Sequence, residues 1–360
     1  LLALAAPPFA FAELPRLAEG ASGALSGRAP LRWFGLALLL LPFALRGDGR
    51  ALRTAASALA ALLAYGGFAQ FVPGGWLMLV PALGGAALLV AAQRVGLARV
   101  AGGAAAFAAL ALAWAVLPVG LWGAKAGLSL AGWPMTLDLP GLAARELVLR
   151  LLIPAALFGV PLWLLREALP RSLRIAALPV AGIVAGIAVH ALYRLGFAAA
   201  FGEDFTATGA AQRLLWAGLL IGGGWIAMRR GLAGLARPLA IVGTAHAIWY
   251  GLVLHNPLWA EQAVGAWPLA NWLAPLFLLP GLGAMLLLRL FPAAPAAPRP
   301  AGPLLAPLLV AGFAWATLRQ LFHGSLLINP GVTPSENILR SILILSLAIG
   351  FLLWGIRTGR

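Results

Sequence analysis

In this chain of 360 residues, ten acids and four histidines are the sparse groups that could do chemistry, and most fall near the ends of apolar stretches. The densest constellation is Arg319-Gln-Leu-Phe-His323-Gly324, followed after a short loop by Thr333-Pro-Ser-Glu336-Asn-Ile-Leu-Arg340-Ser341. Arg319, His323 and Arg340, brought together, could hold a phosphate or carboxylate, because each guanidinium offers a planar fork of donors. A plainer account exists. Thr333, Pro334 and Glu336 match the N-cap, first and third positions of a capping box, and long arginines at a helix end can snorkel to lipid headgroups.

A second constellation places His190, Tyr193 and Arg194 before Gly202-Glu203-Asp204-Phe205 and Arg213. Glu203 and Asp204 are the catalytic candidates, since neighbouring carboxylates outside the membrane can hold a metal ion or act as a base. A solvated turn is the alternative. Together with the first constellation, His190, Arg194 and Arg213 complete the candidate ligand-binding set. His246 lies inside an apolar run, where an ionisable group serves as a proton relay or as a neutral polar contact to a neighbouring helix. Glu146 and Arg150 stand four apart in the stabilising order and read as a helix-surface pair. The histidines form no close pair and there is no cysteine, so no metal signature emerges, and thiol catalysis and disulfides are excluded. No phosphate loop, nucleophile elbow or HExxH motif is present, and no cofactor is identifiable.

The elements that must position these residues are apolar segments. Hydrophobic residues make up 62% of the chain, charged ones 10%, and the mean hydropathy is +0.96, beyond what a water-soluble core requires. Eleven stretches, at 32–44, 54–71, 75–93, 100–117, 147–165, 175–193, 214–228, 239–254, 269–288, 304–322 and 334–356, each approach the roughly 20 residues that cross about 30 Å of hydrocarbon. The apolar run 1–12 reads as the end of a further helix, which makes twelve, and the natural protein is expected to be longer. The fold expected is therefore all-α, a single polytopic transmembrane helix bundle over residues 1–360, with a Pro-rich linker at 291–303.

The loops sort by charge. One set carries 15 of the 25 basic residues (Arg46, Arg50 and Arg53; Arg94 and Arg99; Arg166, Arg171 and Arg174; Arg229, Arg230 and Arg237; Arg289 and Arg299; Arg357 and Arg360). The intervening set carries eight of the ten acids. The positive-inside rule then places the arginine set and the C-terminus in the cytoplasm. The formal charge of +15 would suggest nucleic acid in a soluble protein, but here it flanks lipid and reads as a topology signal, so no nucleic-acid partner is expected. Trp122, Trp133, Trp216, Trp259, Trp267 and Trp272 fall at or beyond the outer boundary, as an aromatic belt does. A weak internal repeat pairs Gln93 to Arg99 with Arg230 to Arg237, suggesting stacked helical hairpins.

At the last two spans, Arg319-x-x-Phe322-His323-Gly324, then Ser335-Glu336 and Ser341, resemble the C-terminal end of a large bacterial family of predicted membrane proteins, domain of unknown function 2339. The arginine clusters, Arg213-Leu-Leu-Trp216 and the stretch from His255-Asn-Pro257 to Pro280 fit the same family, whereas Ile338 stands where many members carry tyrosine. Members often begin with a coiled coil and continue through many spans, so the resemblance implies a C-terminal half. It implies an architecture and no reaction. The lipid bilayer is the expected partner of the whole chain. The leading functional expectation is a bacterial inner-membrane protein that handles or transports a lipid or envelope-polymer precursor at the extracytoplasmic face, with anionic lipid or a lipid-linked precursor as its ligand. A transferase acting on a lipid-linked substrate and a non-catalytic scaffold are the alternatives, and the sequence does not set the oligomeric state.

Overall fold

A computed structural model describes residues 29–134, 143–268, 270–292 and 302–358. The expected helix at 1–12 and the core of the 291–303 linker lie outside these residues. Eleven helices are described, one for each apolar stretch from 32 onward: α1 Ala29–Arg46, α2 Arg50–Ala69, α3 Leu79–Val95, α4 Leu97–Leu130, α5 Ala144–Leu164, α6 Arg171–Phe201, α7 Phe205–Arg229, α8 Ala233–His246, α9 Leu273–Leu290, α10 Gly302–His323 and α11 Pro334–Thr358. A single turn, Gly74–Leu77, leads into α3. Eight helices (α2 to α6 and α9 to α11) are long and apolar enough to cross a membrane. The chain is all-helical, and among the described residues the one β feature is an isolated bridge between Ala263 and Leu326.

Three helices outrun their apolar stretches by ten residues or more, α7 among them, expected over 214–228 and running 25 residues from Phe205. α4 was expected over 100–117 and runs 34 residues, with Pro118 inside it; α6 was expected over 175–193 and runs 31, with Pro179 inside it. Proline interrupts the backbone ladder without ending a helix in an apolar bundle, because no water competes for the freed groups and neighbours re-satisfy them. At about 1.5 Å per residue α4 and α6 exceed the ~30 Å of hydrocarbon, so Trp122 and His190, expected at helix ends, lie within helices instead.

The chain divides into two compact units, residues 1–126 with 137–196, and 127–136 with 197–360. In the first, α1 packs on α2 and α3 on α5, while Ala115 of α4, Leu147 and Leu151 of α5 and Ile187, Ala188 and Ala191 of α6 form a buried cluster. In the second, α7 pairs with α8, α9 packs on both, and α10 bridges α9 and α11. Its core has two parts, one at the arginine end around Ala236, Ala240 and Leu286, the other around Leu214, Val264, Leu273 and Leu327. Gly96 and Gly231, both at positive φ (86° and 72°), make the tight turns α3–α4 and α7–α8, a conformation that a side chain would strain.

Beside the leucines of these cores, alanines fill many helix contacts while other large aliphatic residues face outward. Ala188, Ala217, Ala236 and Ala240 are fully buried, whereas Leu38, Ile226, Leu345 and Leu352 are 62–64% exposed. Small residues let helix backbones approach, and large aliphatic ones face outward, as they do when the solvent is lipid. This is a membrane protein with several apolar helices.

Candidate functional site

The last helical hairpin gathers the first constellation around one carboxylate. Trp315, Arg319 and His323 recur every fourth residue of α10 and so share a face, as do Glu336 and Arg340 of α11. The Glu336 side chain is completely buried. Its Oε1 takes Nη2 of Arg340 at 2.6 Å and faces Nη1 of Arg319 at 3.6 Å, and its Oε2 meets Nε2 of His323 at 3.0 Å. Arg319 also donates from Nε to the Leu327 carbonyl and from Nη2 to that of Asn329 at 2.9 Å, fixing the α10–α11 loop, while the Arg340 guanidinium lies 5.0 Å from the Trp315 ring. The helix starts as the sequence suggests: the Glu336 N–H donates to Thr333 Oγ1 at 3.1 Å, and Pro334 is the first helical residue. The carboxylate, however, turns to the cations. Two guanidiniums share one carboxylate, so the cluster keeps an excess positive charge even with His323 neutral. The three side chains around the carboxylate are 10–18% exposed, at 15% for Arg319, 10% for His323 and 18% for Arg340, which leaves the cluster a narrow opening to its surroundings.

Beside this hairpin, the loop between α8 and α9 and the loop between α10 and α11 are woven into a polar cap. Val264 N–H donates to the Ser325 carbonyl at 3.0 Å, Gly265 N–H to Ser325 Oγ at 3.2 Å, and Ala263 N–H to the Thr206 carbonyl at the start of α7 at 2.8 Å. Gln320, 2% exposed, donates to the Gly265 carbonyl and accepts from Asn271, whose own Oδ1 caps α9 through Leu273 N–H. Gln262, 1% exposed, accepts from Nη2 of Arg213 at 2.5 Å and donates to the Phe205 and Glu261 carbonyls. These amides were not singled out from the sequence. For Gln262 the signal available was a loop, His255 to Pro268, without Lys or Arg yet holding that amide between Trp259 and Trp267.

Arg213, expected in a loop, is buried inside α7, stacked 4.6 Å from the Phe205 ring. It faces His255, whose imidazole is lowered from 6.5 to about 4, first by burial and then by the Arg213 charge. Between them lies a cavity of ≈ 10 Å³ lined by Ala210, Leu214, Pro257 and Trp272, room for about one water. His246 ends the α-helical part of α8, and the chain continues in π geometry from Ala247 to Leu254. The wider winding brings residues five apart into line. His255 N–H bonds the Tyr250 carbonyl at 3.1 Å, and the rings of His246, Tyr250 and His255 follow one another at 4.6 and 6.4 Å.

The second constellation is divided between the two units. His190 and Arg194 belong to the first compact unit, and Glu203, Asp204 and Arg213 to the second. His190 Nδ1 accepts from Trp122 Nε1 at 2.9 Å, with the rings edge to face. Glu203 is exposed, and Asp204 is the N-cap of α7, its Oδ1 accepting from Thr206 N–H at 2.9 Å and Ala207 N–H at 3.3 Å. Glu146 and Arg150 pair at 2.6 Å, as their spacing suggests, across the π segment Val148–Leu152 of α5. Among the described residues no group of three or more His, Asp or Glu side chains is arranged to hold a metal ion.

The family model described as predicted membrane protein, domain of unknown function 2339, matches residues 2–360, and the chain belongs to that family. No curated protein and no solved structure matches it.

Proposed function

We propose that this family member is a multi-pass protein of the bacterial inner membrane, C-terminus in the cytoplasm, that holds or moves a lipid or lipid-linked envelope-polymer precursor at the extracytoplasmic face without catalysing a reaction on it. One observation carries the reading. Arg319 and Arg340 share the single buried carboxylate of Glu336, which leaves a net cationic cluster at the loop end of α10 and α11. An anionic headgroup there would offset the remaining charge through donors that the carboxylate does not use. The topology rests on the arginine distribution: Arg229, Arg237, Arg289 and Arg357 lie at the helix ends opposite the woven cap. Against a transferase, one oxygen of Asp204 is engaged in capping α7.

The test is lipid retention by the purified full chain. Arg319→Gln and Arg340→Gln should each lower co-purified anionic lipid several-fold, while Arg299→Gln in the linker leaves it unchanged. Because a half-broken cluster can misfold, a triple variant with Arg319, Glu336 and Arg340 all changed to Met is measured beside them. Replacing a whole buried ionic group with apolar residues is often neutral for stability. The triple variant should fold and still lose anionic lipid. Unchanged retention in a folded triple variant would overturn the proposal and leave the cluster as a structural tie.

A further inference from the structure

The first unit contains an apolar groove that the cationic cluster does not touch. It lies between α1, α2 and α4, with a volume of ≈ 490 Å³, and is walled by Phe34, Leu38, Leu41, Ala60, Ala64 and Phe107. That volume falls within the roughly 300–1,000 Å³ of pockets that hold small ligands. α4 meets α2 at two levels, one at Gly102 and Gly103 and one where Trp114 Nε1 donates to the Tyr65 hydroxyl at 3.1 Å. Gly102 and Gly103 bring the α4 backbone against Thr54 and Ser57, with Gly103 N–H donating to Ser57 Oγ at 3.2 Å. Between these two levels, the α2 side of the groove is lined by Ala60, Ala61 and Ala64, too small to close the gap, while Phe34, Leu38 and Leu41 wall the α1 side.

The mouth is basic. Arg99 lines the groove, and its Nη1 donates to the Val95 carbonyl at 2.8 Å, which holds the guanidinium at the entrance. Arg46, Arg50, Arg53 and Arg94 sit on the same helix ends, with Asp48 as the acid between α1 and α2. An apolar slot with a guanidinium at its rim is complementary to an amphiphile whose head is anionic and whose tail is a flexible chain. We propose that the groove binds one acyl chain of an anionic membrane phospholipid, with its phosphate at Arg99. This site is distinct from the α10–α11 cluster, and either can fail without the other.

The experiment uses the full chain in phosphatidylcholine nanodiscs carrying a phosphatidylglycerol with a photoreactive acyl chain, with labelled residues identified by mass spectrometry. Labelling should concentrate at Leu41, Ala60 and Ala64, at least tenfold above Leu345 on the exposed face of α11. Ala60→Trp and Ala64→Trp should each abolish groove labelling without changing labelling at Leu345, and Arg99→Gln should lower it about tenfold. A photoreactive phosphatidylcholine should label the groove and Leu345 alike. Anionic probe labelling the groove no more than Leu345 would reduce it to ordinary boundary lipid and overturn the proposal. So would a crosslink from the groove to residues before Ala29, which would make the occupant a segment of the chain itself. Melting temperatures within a few degrees of wild type would show that loss of labelling in the variants reflects the site and not unfolding.

Discussion

Replacing Glu336 with glutamine keeps the volume of the side chain and removes its charge, and the structure sets the size of the consequence. At 2.6 and 3.6 Å, with an effective dielectric near 20, the two guanidinium contacts are worth about 6 and about 5 kcal/mol in gross Coulomb energy. Both nitrogens lie against the same oxygen, so they are at most about 6 Å apart and repel by at least about 3 kcal/mol. Most of that attraction is cancelled by the cost of taking the charges from water, but the cancellation disappears when one partner is removed and the other charges stay buried. Breaking a buried ion pair from one side costs about 3–5 kcal/mol. The Glu146–Arg150 pair provides the internal comparison, with the same i, i+4 spacing, the same 2.6 Å contact and side chains 23% and 20% exposed. Glu146→Gln removes one partly solvated pair, about 1 kcal/mol. Unfolding of the purified chain in mixed micelles, followed by tryptophan fluorescence, should therefore rank Glu336→Gln well below Glu146→Gln, by at least about 2 kcal/mol. Equal losses, or a Glu336→Gln protein within about 1 kcal/mol of wild type, would refute the reasoning that the cluster is a desolvated charge network.

Three further outcomes follow from particular contacts. Asp204→Ala should destabilise the start of α7 by about 1 kcal/mol while Asp204→Asn, which retains a capping oxygen, should be near neutral and should leave any gene-dependent envelope phenotype intact; loss of that phenotype in a normally abundant Asp204→Asn protein would return the carboxylate to catalysis. His255 is held near 4 in the fold against 6.5 when free, so the unfolded chain binds the extra proton between those values. Stability should be full above pH 6.5 and decline as pH falls toward 4, by up to about 3 kcal/mol, and His255→Phe should flatten that slope in pH-dependent melting. Cysteine at Ala266, exposed in the α8–α9 loop, should react with an impermeant thiol reagent in intact cells, and cysteine at Gly234, exposed at the start of α8, only after permeabilisation; reversed labelling would invert the topology.

The helices were legible because their signal is bulk hydropathy, which needs no knowledge of neighbours. Each apolar stretch from residue 32 onward corresponds to one helix. Their ends were less legible where proline intervened: the stretch 100–117 stops just before Pro118, yet α4 passes through it because the surrounding apolar bundle leaves a freed carbonyl no water to turn to. The π segments in α5 and α8 left no compositional trace. They add a residue per turn without changing residue type, so hydropathy cannot register them.

The site was half legible, and Glu336 shows why. Thr-Pro-Ser-Glu is a capping sequence, and the Thr333 half of that motif forms; the glutamate's alternative partners lie 13 and 17 residues earlier, on another helix, where no local rule looks. What the sequence does contain is the fourfold spacing of Trp315, Arg319 and His323. Once α10 and α11 are antiparallel, that stripe must face Glu336 and Arg340, and a carboxylate between two guanidiniums has no cheaper orientation than toward both. The same logic explains Arg213. It reads as a loop residue just before an apolar stretch, but α7 already begins at Phe205 and the loop that returns from α8 sets Gln262 over it, and an amide oxygen then satisfies a guanidinium that hydropathy would have sent to the surface. In both cases pairing across elements, and not residue type, decides which cations are committed to the fold and which charge is left over for a ligand.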